Sequence, residues 1–105
     1  MSTIIFGLNH FGGIFEAKLL KSDGTVRSLL NNTLVEAIFI RPDGKEIRKI
    51  AALKVPGTPE DTEITYTNNT SPSILDQTGY WEYYVAATFA SAFIPSHERI
   101  SFWVQ

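Results

Sequence analysis

Strict two-residue alternation over the stretch that begins at Trp81 is the feature that most restricts the possible fold. One face of this extended segment carries Trp81, Tyr83, Val85, Ala87 and Phe89, and the other carries the residues between them. Consecutive side chains of a β-strand point to opposite faces of a sheet, so this period predicts a strand that turns one face to a core. We therefore expect Trp81, Tyr83 and Val85 to be core residues.

Short extended segments separated by turn signals occupy most of the chain, and almost no segment keeps a helical period. The clearest turn signals are Ser22-Asp23-Gly24-Thr25 and Pro42-Asp43-Gly44, because glycine adopts positive φ without a steric penalty. Besides the strand through Trp81, the pattern predicts strands over 14–21, 26–30, 33–41, 45–54, 62–67 and 99–105. We expect an immunoglobulin-like antiparallel β-sandwich of about seven or eight strands over residues 14–105, preceded by an arm over residues 1–13.

The corner before Trp81 supports the sandwich. Immunoglobulin-like and fibronectin-like sandwiches place an aromatic residue here, and its polar edge bonds back to the corner backbone. Leu75, Gly79 and Trp81 have comparable spacing, with tryptophan where tyrosine is usual. Alternation in two further strands adds Phe39 and Phe102 to the expected core.

Composition excludes several classes of protein. The chain has 105 residues, of which 44% are hydrophobic and 19% charged, a net charge of -2 and no cysteine. This length and composition predict one domain with enough apolar surface to fold. The absence of cysteine excludes a disulfide framework and a thiolate metal site. Weak acidity argues against a DNA-binding protein, and no apolar run approaches the roughly 20 residues of a membrane helix. The first residues lack a basic leader, so we expect synthesis and folding in the cytoplasm.

Catalytic and metal-binding candidates are few. His10 and His97 lie outside any recognisable nucleophile motif, and a transition-metal site needs three or four ligands. The acidic loop 60–63 could supply oxygen ligands to Ca²⁺, but it lacks the spacing of a calcium-binding loop. Gly12-Gly13 carries no phosphate-binding fingerprint. We expect no enzymatic activity, cofactor or metal.

Aromatic residues on the face opposite the predicted core suggest a binding surface. Tyr80, Tyr84 and Trp103 lie there, with Glu82 and Arg99 nearby. Tyrosine and tryptophan are enriched in protein interfaces, which favours a protein contact over plain intramolecular packing. Stacking on a sugar is the third alternative.

Two apolar surpluses extend the candidate interface. The strand over 33–41 carries large apolar side chains on both faces, with Ile38 and Ile40 on the face opposite Phe39, and antiparallel sheets usually leave one face to water. The arm carries Ile4, Ile5, Phe6 and Phe11 before the flexible glycine pair. We expect the second face of the strand to be covered either by this arm or by a partner, and the arm to dock either on its own chain or on a neighbour.

Three segments together resemble a known family. They are the hairpin over 35–44, Gly79-Tyr80-Trp81-Glu82-Tyr83, and Ser101-Phe102-Trp103-Val104. The pattern is similar to the immunoglobulin-like N-terminal domain of tailed-phage upper baseplate proteins. The resemblance covers residues 15–104 and implies a structural protein of a virion.

Such a protein would work through contacts with other virion proteins or with copies of itself, and would be found in the particle after synthesis in the host cytoplasm. In that family the domain usually begins a longer chain, whereas this sequence ends at Gln105. A small separate protein of the tail, neck or capsid surface is therefore a further interpretation. The alternative is a phage module that binds a carbohydrate or receptor on the host surface.

Overall fold

The computed structural model describes residues 4–10, 12–69, 73–96 and 98–105. In these residues the chain forms β-strands only, and no helix that could cross a membrane is present. The strands are β1 (Ile4–Phe6), β2 (Gly13–Lys18), β3 (Leu34–Ile40), β4 (Glu46–Ile50), β5 (Ala52–Leu53), β6 (Glu63–Asn68), β7 (Gly79–Phe89), β8 (Ala92–Pro95) and β9 (Ile100–Val104).

The strands form two sheets that pack as a sandwich. The larger sheet has the order β1-β9-β7-β3-β4, and β8 pairs with the far half of β7; the smaller sheet has the order β2-β6-β5. β1 runs parallel to β9, whereas every other strand pair in the described residues is antiparallel. The predicted all-β sandwich is therefore confirmed, with nine strands in the described residues where the pattern predicts about seven or eight.

An aromatic cluster fills one half of the space between the sheets. Phe15 of the smaller sheet packs edge-on against Phe39 and Tyr83 of the larger sheet, with ring centroids 4.9 and 5.2 Å apart. Phe102 lies 5.2 Å from Phe15 in the same cluster. Burial of each such ring contributes about 1.5–3 kcal/mol to folding. The other half of the core is aliphatic and contains Leu19, Leu29, Val35, Ile64, Val85 and Ala87.

The strand phase inferred from the alternation is correct at the residues predicted to form the core, since Trp81, Tyr83, Val85, Phe39 and Phe102 are all buried. The corner contact is also present. The Trp81 indole Nε1 donates a hydrogen bond of 3.0 Å to the backbone oxygen of Gln77. Tryptophan therefore ties the loop to the start of β7, as the corner tyrosine does in immunoglobulin-like sandwiches.

Both predicted Asp-Gly turns form. Gly24 and Gly44 have φ near +88° and +87°, and the aspartate before each glycine accepts a hydrogen bond from the backbone two residues on. Donation by the Thr25 hydroxyl to Asp23 lowers the pKa of that carboxyl below its ordinary value. The turns therefore set the hairpin positions by local hydrogen bonding.

Two predicted strands differ from the structure. Residues 26–30 form no strand; Val26 makes an isolated bridge to Leu20, and Leu29 is buried in the aliphatic core. The predicted strand over 45–54 divides at Ala51, because its first half pairs with β3 and its second half crosses to β6 in the smaller sheet. The short strands β1 and β8 were not predicted.

The described part of the predicted arm belongs to the sandwich. Ile4–Phe6 pairs with β9, and the Phe6 ring packs on Phe15 and Phe102 at 5.2 and 5.5 Å. A buried polar cluster fixes the next turn, since Asn68 and Ser73 donate to the His10 carbonyl at 2.9 and 2.8 Å. β1 is thus a strand of the larger sheet rather than a free extension.

Candidate functional site

The outer surface of the smaller sheet consists mainly of charged side chains that pair with one another, and Ile14 of β2 is exposed among them. The Lys54 ammonium lies 3.3 Å from Glu16 and 3.7 Å from Glu63, and Lys18 lies 3.4 Å from Asp61. The hydrogen bond with Glu16 raises the pKa of Lys54 above its ordinary value. Side chains of this kind are solvated and are depleted from protein interfaces.

The outer surface of the larger sheet differs in kind. Ile5 of β1, Trp103 of β9 and Tyr80 of β7 are direct cross-strand neighbours, and they form one row across three strands. They are 56%, 45% and 45% exposed, and the Tyr80 and Trp103 rings meet at 67° with centroids 5.4 Å apart. We call these three residues the exposed apolar row.

Arginine side chains cover the middle of the same surface. The Arg99 guanidinium lies 5.1 Å from the centroid of the Tyr84 ring, and the Arg48 guanidinium lies 4.9 Å from that of Phe93. Burial raises the pKa of the Tyr84 hydroxyl. Such contacts are cation-π interactions, each worth about 0.5–1 kcal/mol at exposed sites.

Ile38 corrects one expectation about the candidate interface. Its neighbours across the outer surface are Arg48 of β4 and Tyr84 of β7, and its side chain is fully buried. Long arginine stems cover apolar surface while their charged ends stay in water. The chain itself therefore covers Ile38, which is not available as a contact residue.

The remaining candidate residues divide between surface and core. Tyr80 and Trp103 are exposed, and Ile40 and Tyr84 are half-buried on the outer surface. Phe6 packs against the core. Ile4 pairs with β9 through its backbone, and its side chain lies outside the described residues.

Sequence reasoning missed Arg48 and Phe93 on this surface, and it counted Ile5 only as part of the apolar arm. Ile5 and Phe93 lie on the two strands that were not predicted, so no strand phase was assigned to them. Arg48 was placed correctly in a hairpin strand, but no local pattern shows that its side chain reaches Phe93. Its signal was only the alternation with Ile47 and Lys49.

The catalytic and metal candidates are dispersed. His10 is exposed at the end of the N-terminal segment, and its ring lies 5.7 Å from that of Phe6. His97 lies outside the described residues. In the acidic loop, Asp61 pairs with Lys18 and the Thr62 hydroxyl accepts a 2.9 Å hydrogen bond from the Val55 amide. Within the described ranges no three histidine, aspartate or glutamate side chains come together as metal ligands.

Comparison of the chain with protein-family models, with curated proteins and with solved structures found no match. The resemblance to the phage baseplate domain therefore rests only on the three sequence segments described above.

Proposed function

We propose that this protein is a non-enzymatic structural component of a tailed-phage virion that binds a neighbouring protein through the outer surface of its larger sheet. The observation that carries the proposal is the contrast between the two outer surfaces. One exposes a continuous row of isoleucine, tryptophan and tyrosine beside arginine, and the other exposes paired lysine and glutamate with a single isoleucine, Ile14.

This contrast matches what separates interfaces from ordinary surface. Aromatic residues and arginine are enriched in interfaces, and lysine and glutamate are depleted. Tryptophan, tyrosine and arginine are also the most frequent residues that dominate binding energy. The exposed apolar row is continuous across β1, β9 and β7, so a partner surface could cover all three side chains at once.

The virion part of the proposal rests on the resemblance to the immunoglobulin-like domain of upper baseplate proteins. Such domains join receptor-binding parts to the remainder of the particle and carry out no chemistry. A sandwich with one aromatic outer surface suits this role, because a rigid sheet can hold anchors at fixed spacing. The tail, neck and capsid surface remain alternative positions in the particle.

The double variant Tyr80→Ser/Trp103→Ser tests the contact surface. Ile14→Ser is the matched control, since Ile14 is 59% exposed on the smaller sheet. We expect the double variant to fold, with a loss of stability of about 0.5–1.5 kcal/mol from the ring pair. Its incorporation into particles, measured by quantitative mass spectrometry of purified virions, should fall sharply, whereas the control should be incorporated normally.

Two results would contradict the proposal. The first is normal incorporation of the double variant. The second is absence of the native chain from purified virions, which immunogold electron microscopy would also show as a lack of labelling at any fixed position on the particle.

Carbohydrate binding is the second candidate function, and the exposed Tyr80–Trp103 pair favours it. The hydroxyl of Tyr80 also lies 3.5 Å from the Glu82 carboxylate, which could orient a sugar hydroxyl. A sugar site predicts that the double variant is incorporated normally but no longer sediments with host cell walls. The double variant and the Ile14→Ser control, compared in both assays, thus distinguish the two functions.

A further inference from the structure

We propose that the free edge of β4 binds an extended acidic segment of another protein by adding it as a strand to the larger sheet. We call Glu46–Ile50 the open edge. It lies on the opposite margin of the sheet from β1, so this inference does not depend on the exposed apolar row.

Hydrogen bonding at the two ends of the hairpin identifies the free backbone groups. The Arg41 amide donates to the Lys45 carbonyl, and the Ala51 amide donates to the Val35 carbonyl, each at 2.9 Å. Alternate residues of an antiparallel strand bond to the same neighbour. The amides and carbonyls of Glu46, Arg48 and Ile50 therefore point away from β3, and none bonds to a described residue.

The other described edges are short or blocked. β1 has three residues and β5 has two. In β2 the central outward carbonyl, that of Glu16, accepts a 3.1 Å hydrogen bond from the Tyr83 hydroxyl. In β8 the pairing directs Phe93 and Pro95 outward, and proline has no amide to offer. Of the described strands, β4 has the longest edge with its outward groups free.

The open edge is bordered by a groove that suits a strand. A depression of about 640 Å³ runs between β4 and β6, with Lys49, Ile50, Tyr66 and Thr67 among its lining residues. The Ile50 side chain is 75% exposed and offers an apolar contact. An added strand could place alternate side chains in this groove and on the outer surface beside Arg48.

Charge selects the occupant. Arg48 and Lys49 on the open edge and Lys45 beside it outnumber the one acidic residue of the edge, Glu46. Arg48 pairs with Glu36 at 3.7 Å, whereas neither lysine has an ion-pair partner among the described residues. Carboxylates opposite these side chains would stabilise an added strand by cross-strand pairing. An extended segment rich in aspartate or glutamate therefore fits better than a neutral or basic one.

The same charges disfavour a second copy of this chain. Two-fold antiparallel pairing centred on Arg48 places Arg48 opposite itself, and pairing centred on Lys49 does the same for Lys49. Pairing centred on Ile47 places Lys45 opposite Lys49; it also places Glu46 opposite Arg48, which already pairs with Glu36 of its own chain at 3.7 Å. Like charges directly opposite each other destabilise a sheet. Cationic side chains on an edge are a known protection against self-pairing, and here they leave the edge open to an acidic strand.

Nuclear magnetic resonance titration of the full chain with two blocked peptides tests the proposal. One peptide is Thr-Glu-Val-Glu-Val-Glu-Thr, and the other has lysine in place of each glutamate. We expect saturable shifts and slower hydrogen exchange at the amides of Glu46, Arg48 and Ile50 with the acidic peptide. The basic peptide should produce neither effect.

Two variants sharpen the test. Lys45→Glu/Lys49→Glu should reverse the preference between the peptides. Ile50→Pro removes one outward amide, and we expect it to weaken binding about tenfold relative to Ile50→Ala, which removes the same side chain. The charge reversal remains informative if the proline variant does not fold.

Three results of the peptide titration would overturn the proposal. They are equal binding of the two peptides, shifts confined to residues outside β4 and its groove, and absence of saturable binding at millimolar peptide. Protection of the β4 amides in the free protein, together with a dimer in sedimentation, would show that a second copy occupies the edge and would also overturn it. The Tyr80→Ser/Trp103→Ser variant should bind the acidic peptide normally, so failure of the proposed function is distinguishable.

Discussion

Replacement of Trp81 by alanine is the most direct test of how the sandwich is held together. The indole ring is fully buried, stacks on Phe102 with centroids 5.8 Å apart, and donates its hydrogen bond to Gln77. Removal of a buried tryptophan or phenylalanine ring costs about 3–5 kcal/mol through lost burial and the cavity that remains. Since a domain of this size is stable by about 5–15 kcal/mol, the variant should lose a large share of the free energy of unfolding.

Two further variants separate the contributions. Trp81→Phe keeps an aromatic ring but loses the indole donor, so its cost should be smaller and include about 1 kcal/mol for the hydrogen bond to the corner. Trp103→Ala is the matched control, because the same side chain is 45% exposed and pairs only with Tyr80 among the described rings. We expect the control to cost about 1 kcal/mol.

Urea denaturation followed by far-ultraviolet circular dichroism gives all three values without dependence on tryptophan fluorescence. The free energy of unfolding should decrease in the order wild type, Trp103→Ala, Trp81→Phe, Trp81→Ala. If Trp81→Ala costs no more than Trp103→Ala, the placement of Trp81 in the core and the strand phase of β7 are refuted.

Three further predictions follow from the same core and its edges. Deletion of residues 1–11 removes β1 and the Phe6 ring, so the truncated chain should show a lower melting temperature in calorimetry or fail to fold; an unchanged value would show that β1 is dispensable. Burial raises the pKa of Tyr83 above 10.0, so this residue stabilises the fold below about pH 10 and loses that contribution as pH rises further; Tyr83→Phe should flatten the alkaline decline in urea midpoint. Gly79→Ala should cost about 1–3 kcal/mol, because φ is +128° and the new Cβ would lie 3.1 Å from Pro42, whereas Gly57→Ala should be nearly neutral in the same denaturation assay.

Local signals explain what the sequence could predict. The alternation through Trp81 depends on neighbouring residues only, and so do the turns at Asp23-Gly24 and Asp43-Gly44. The corner contact likewise joins residues four positions apart, Gln77 and Trp81. Elements of this kind can be predicted from one sequence because the residues that form them are close together along the chain.

Non-local pairing explains what the sequence could not predict. β1 is stabilised by parallel pairing with β9 at the other end of the chain, and no turn signal links them. The sequence predicts a flexible pair at Gly12-Gly13, yet Gly13 begins β2, and a Cβ there would lie 3.0 Å from the Phe6 ring. Glycine at this position allows the close approach of Phe6, which a single sequence does not distinguish from flexibility.

The candidate surface shows the same division. Tyr80 and Trp103 were placed outward because their strand phases are local. Ile38 was given the same role, but Arg48 and Tyr84 flank it on the outer surface and it is fully buried. Alternation identifies the face on which a side chain lies, but whether that face is open depends on arginine and aromatic side chains from other strands.

Strand order places the two proposed contact surfaces on opposite margins of one sheet. The exposed apolar row occupies β1, β9 and β7, and the open edge is β4 beyond β3. A partner on the row would therefore leave the open edge accessible, and an added strand at β4 would not displace Trp103 or Tyr80. Because the two surfaces differ in chemistry, one apolar and one basic, they would bind different partners. A single sandwich could then join two other components of a particle, which matches the connecting role proposed for it.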